Sequence, residues 1–114
     1  MEEMPMFSHT LDFITWLMPV LNNFPRSQRF AVTKRLSDAA LDFQEFIIEA
    51  NKCRGKGRMA RLGQADAALD KVRLYLRLSA RWDWLKPGQY QHAALMVTEI
   101  GRLLGGWQKQ TMAS

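Results

Sequence analysis

The chain holds little of the chemistry that makes an enzyme or a metal centre legible. Its 114 residues include one cysteine, Cys53, and two histidines, His9 and His92. A single thiol closes no intramolecular disulfide, so a reducing, cytoplasmic compartment is the default. The histidines stand in neither an HExxH nor a Glu-x-x-His arrangement, and no metal is expected. Cys53 has no base or orienting partner near it in sequence for nucleophilic work. No glycine signature followed by lysine and serine or threonine is present, which leaves no nucleotide cofactor to expect. No apolar run approaches the roughly 18 residues of a membrane span, and MEEMPMF opens on acidic rather than basic residues. The expectation is a non-enzymatic cytoplasmic protein with no catalytic residue, no cofactor and no membrane contact.

Alternating strand-type segments are also missing, and most Pro and Gly residues fall where helices would be punctuated. The predicted architecture is all-α: an antiparallel up-down four-helix bundle forming a single domain, 1–114. Residues 1–7 are expected to be disordered or loosely packed and 110–114 to form a tail. Ser8 is the expected cap of a first helix carrying Leu11, Ile14, Leu17, Met18 and Leu21, kinked or cut short by Pro19. A second helix, from about Arg26 to Asn51, buries Val32, Leu36, Ala39, Ala40, Phe43, Phe46, Ile47 and Ala50. The segment CRGKGR reads as a flexible turn before a third helix over roughly 58–83. Pro87 then opens a fourth, with Tyr90, Ala93, Ala94, Val97, Ile100, Leu104 and Trp107 as its seam.

What is abundant is positive charge, and it is concentrated. Residues 1–51 hold four basic and seven acidic side chains, residues 52–81 nine and two, and residues 82–114 three and two. Five cations, Lys52, Arg54, Lys56, Arg58 and Arg61, fall in ten residues around two glycines, a pattern suited to phosphate contact. Arg73, Arg77 and Arg81 follow on one face of the third helix, about 80° wide by the helical step. Arg73 has Asp70 three residues away, but Arg77 and Arg81 have no acid three or four positions off. Their counter-charge is either a nucleic acid or the acidic stripe Asp38, Asp42, Glu45 and Glu49, whose 4-3-4 spacing marks one face of the second helix. With Leu74, Tyr75 and Leu78 the third helix has an apolar arc of about 240°, wider than one bundle uses. A second subunit against Leu74 and Leu78 is therefore expected. Gly101 and Gly105, at four-residue spacing, would let another helix approach closely. Trp82 and Trp84 read as packing at the bundle end.

The segments FPR, ADAALDKVRLYLRL and EIGRLLGGW, in this order over roughly residues 14–107, resemble the accessory variability determinant family of diversity-generating retroelements. The resemblance implies a homopentameric barrel of four-helix bundles that binds RNA or DNA and a reverse transcriptase during mutagenic cDNA synthesis, without catalysis of its own. By position, Arg73 and Arg77 match that family's paired arginines, and Gly101 and Gly105 its small residues on the fourth helix. The CRGKGR segment is richer in charge than the family pattern, and the C-terminus QKQTMAS lacks a strongly basic tail. Four-helix bundles encoded in intervening sequences of ribosomal RNA genes share a similar pattern and supply the alternative, a protein-interaction module with inter-subunit salt bridges.

Overall fold

A computed structural model of the chain describes residues 4–114. Four helices, α1 (Pro5–Leu21), α2 (Val32–Lys52), α3 (Gly55–Arg81) and α4 (Pro87–Ala113), follow one another with short connections. They run up and down around one core. Each helix packs on the next in the chain and α4 packs back on α1, while the diagonal pairs have no close backbone approach. The bundle is 45 Å long and about half as wide.

The core follows most of the apolar positions expected from the sequence. Leu17, Leu36, Ile47, Leu62, Val72, Ile100 and Leu104 are at most 1% exposed. Each such side chain contributes about 1.5–3 kcal/mol by leaving water. Leu11, expected on the apolar stripe of α1, is 55% exposed, and Met18, Val32, Phe46, Tyr90 and Ala94, expected inside, are only partly buried. Three buried hydroxyls satisfy themselves on the preceding turn: Thr10 donates to the Met6 carbonyl, Ser79 to Tyr75 and Thr111 to Trp107, at 2.7–2.8 Å.

Several boundaries differ from the sequence expectation. Helix α1 starts at Pro5, not after Ser8, because proline at the first helical position has no N–H to leave unpaired. Ser8 lies inside it, donating to the Pro5 carbonyl. Met6 is 1% exposed, so residues 4–7 are packed rather than loose; residues 1–3 lie outside the described ones. At the other end α4 runs to Ala113 with Thr111 buried, so 110–113 is helix, not tail. Pro19 sits in the last turn of α1, which ends two residues later through Asn22, Asn23 and Phe24 N–H bonds of 3.1–3.2 Å to carbonyls three residues back. The chain then makes a 3-10 turn at Arg26–Gln28, and α2 begins only at Val32, because the backbone at Ala31 is not helical.

The largest correction concerns CRGKGR. It is no loop: Cys53 and Arg54 alone link α2 to α3, and Gly55 to Arg58 are the first turn of α3. Gly55 makes this reversal possible at φ +56°, where a side chain would be strained. The α3–α4 turn closes in the same left-handed region at Asp83, φ 61°. There Trp84 N–H reaches the Ser79 carbonyl and Asp83 N–H that of Ala80, a Schellman closure with aspartate in glycine's usual place.

Candidate nucleic-acid interface

Because α3 starts early, the five clustered cations divide into two groups. Lys52, Arg54 and Lys56 are exposed at the tip of the α2–α3 hairpin and form no ion pair among the described residues. The first turn of α3 has no acidic residue and no side-chain cap, so its free N–H groups and positive dipole end add to the three cations. Helix starts of this kind attract phosphate. A depression of about 760 Å³ beside the tip is lined by Lys52, Arg54 and Arg58 and by the apolar Phe7, Ile48 and Trp107.

Arg58 and Arg61 turn inward to the protein instead. Arg58 Nε donates to the Ala50 carbonyl at 3.0 Å, and its guanidinium lies 5.4 Å from the centre of the Trp107 ring. One side chain thus joins the end of α2, the start of α3 and the end of α4. Arg61 pairs with Glu49 at 3.1 Å, across the α2–α3 seam.

The arginine row also divides. Arg73 binds Asp70 at 2.8 Å, the partner its spacing predicts, and its guanidinium rests on Gly101 of α4, where an added methyl group would overlap it. Arg77 lines a small cavity of about 160 Å³ with Arg73, Tyr90 and Thr98. By the helical step, Arg77 and Arg81 turn about 40° and 80° further from the core than Arg73. Both are exposed and without an ion pair among the described residues.

Within one chain the row and the acidic stripe do not meet. Arg73 leans on α4, whereas α2 packs on the opposite flank of α3. Of the stripe, Asp38 is held by Lys34 at 2.6 Å and Glu49 by Arg61, while Asp42 and Glu45 are exposed with no ion pair among the described residues. Leu74 is 48% exposed and Leu78 partly so, leaving the surplus apolar surface of α3 open in the single chain. The two glycines do different things: Gly101 seats Arg73, and Gly105 has open space where a side chain would be.

The remaining charged surface is ordinary. Arg102 donates to Glu99 with Nε at 3.0 Å, a hydrogen bond that lowers the exposed Glu99 carboxyl below its usual range and raises Arg102. His92 packs on Trp16 at 5.0 Å between ring centres. Among the described residues no three His, Cys, Asp or Glu side chains group as metal ligands, and no helix is long and apolar enough to cross a membrane.

Sequence reading missed a second basic segment. Residues 26–35 hold four cations, Arg26, Arg29, Lys34 and Arg35, and no acid. Averaging over 1–51, with its seven acids, concealed them; a ten-residue window finds them.

A family model described as bAvd-like matches residues 6–111. Among solved structures the fold is similar to a protein of unknown function from the S23 ribosomal protein family of Bacteroides thetaiotaomicron. The TM-score is 0.82 at 20% identity, over 91% of this chain and 95% of that one, a likeness of fold. No curated protein matches the sequence.

Proposed function

The chain belongs to the bAvd-like family of accessory four-helix bundles, and from that membership and its charge geometry we propose that it binds nucleic acid beside a reverse transcriptase. In this reading it is the non-enzymatic accessory protein of a diversity-generating retroelement. It works in the cytoplasm as a ring of identical subunits, five by the family resemblance, holding template RNA or its cDNA by the phosphates. The observation that carries the reading is the cluster Lys52, Arg54 and Lys56 at an uncapped helix start with no acid to neutralise it. Contacts of this kind fix position and carry no sequence information. A ring multiplies them, gathering charge that one small subunit cannot present.

Salt dependence tests it. Each phosphate contact contributes a slope of about −0.9 in log K against log salt on duplex DNA and about −0.7 on single strands. Replacing Lys52, Arg54 and Lys56 together with alanine should flatten the duplex slope by up to about 2.7 per subunit engaged. An affinity that ignores both salt and these substitutions sinks the reading.

A second reading is favoured by a separate observation. Arg77 and Arg81 on one flank, and Asp42 and Glu45 on another, are unpaired within the chain among the described residues. Complementary patches on different flanks make head-to-tail contacts, which close into a ring where the rotation between subunits allows it. Assembly through these charges is compatible with nucleic-acid binding at the hairpin tip, and alone it describes a protein-interaction module.

A further inference from the structure

We infer that the opposite end of the bundle is a stacking site for single-stranded nucleic acid, in which unpaired bases lie on Phe30 and Trp82 while Arg26 and Arg29 hold their phosphates. The inference rests on the nucleic-acid reading above and gives it a substrate form.

Phe30 is 78% exposed in the turn before α2, in a chain that buries Phe13, Phe24, Phe43 and Trp107. Arg29 lies over the ring, with the guanidinium 4.8 Å from its centre, and most of the Phe30 surface is open to solvent. The guanidinium held there keeps N–H groups for a phosphate, since a cation over a ring spends none of its donors. Beside it runs a groove of about 760 Å³ lined by Phe24, Arg26, Arg29, Phe30 and Lys34.

The aromatic surface continues beyond the groove. Phe24 lies 5.7 Å from Trp84, and Trp84 lies 5.1 Å from Trp82, which is 46% exposed. Trp84 packs the bundle end as the sequence suggests; Trp82 does not. The row thus has an exposed ring at each end, with the buried Phe24 and the partly buried Trp84 between them.

Charge selects the occupant. Residues 26–35 carry four cations and no acid, and Arg81 and Lys86 flank the two tryptophans. Against these stand Asp38, already bound by Lys34, and Asp83 in the α3–α4 turn. An apolar partner surface would find the rings but not a use for the cations. A duplex would find the cations but offers no base faces, because its bases already stack on one another. Single strands supply both. This end lies far from the hairpin tip: α2 spans 21 residues, about 30 Å, between them.

The test measures affinity of the full chain for oligothymidylate and for duplex DNA, with circular dichroism and light scattering on each variant. The Phe30→Ala/Trp82→Ala double variant should lose about tenfold per ring on the single strand, with duplex affinity unchanged. Phe30→Tyr/Trp82→Phe keeps both rings and should retain binding. Unchanged oligothymidylate affinity in the alanine variant overturns the inference, as does an equal loss on duplex. It is also overturned if that variant loses oligomer mass, or if it loses adsorption to phosphatidylserine vesicles while oligothymidylate binding persists. Lysine and arginine substitutions at the hairpin tip report separately on the phosphate reading, so either can fail while the other stands.

Discussion

Replacing Arg58 with alanine should destabilise the fold while leaving nucleic-acid binding almost intact, although the sequence groups Arg58 with the phosphate-binding cations. Its guanidinium hydrogen bond to the Ala50 carbonyl involves a charged donor, for which loss costs about 1.5–3 kcal/mol. The Trp107 contact adds about 0.5–1 kcal/mol. Because the residue is only partly buried, the lower ends apply, giving about 2 kcal/mol. For a domain of this size that lowers the melting temperature by about 8–10 °C. Arg58→Met separates the two causes: it keeps the stem against the ring, loses the hydrogen bond, and should recover part of the deficit. Urea and thermal unfolding followed by circular dichroism measure both, and binding to a labelled duplex is measured in parallel, with Arg54→Ala as the comparison. If Arg58→Ala melts with the parent protein and weakens binding as much as Arg54→Ala does, the tie between three helices is not structural and the reasoning fails.

Glycines give an independent check on packing. Gly63 lies exposed inside α3 with nothing near its missing side chain, so Gly63→Ala should add about 1 kcal/mol and raise the melting temperature by about 4 °C. Gly101→Ala should gain less, because Arg73 must leave its seat on α4; equal gains at both sites would show that the seat contributes nothing. Arg77→Glu should lower the oligomer mass by light scattering, and a compensating Glu45→Arg change in the same chain should restore it. An unchanged mass in the single variant would exclude the inter-subunit ladder.

The interior of this protein is legible in its sequence because it depends on one periodicity. Leu36, Ala39, Ala40, Phe43, Ile47 and Ala50 repeat with the helical turn, and all six are buried. Asp70 beside Arg73 is equally local and was equally visible. The helix ends were less so. Gly55 and Gly57 have low intrinsic helix propensity and suggest a loop, yet tertiary packing and the Arg58 tie hold them in α3. Ser8 offered a cap, but Pro5, three residues earlier, was the stronger signal. The fate of individual arginines was the least visible part. Whether Arg58 or Arg54 faces solvent depends on the register between α2 and α3, and Arg73 meets Gly101 only because α3 and α4 lie side by side. Such long-range relations leave no spacing in one segment to read.

The two-residue link between α2 and α3 also governs how the chain reaches its fold. These helices share the most extensive pairing in the bundle, and the loop joining them is nearly as short as a helical hairpin allows. Closing so short a loop costs little chain entropy, so the hairpin is the natural nucleus, formed before the termini are placed. Helix α1 packs on α2 and, more extensively, on α4, which is made after the other three helices. Its apolar stripe therefore stays partly uncovered until α4 has been made. Amide exchange should follow that order, slowest along the α2–α3 seam and fastest in α1.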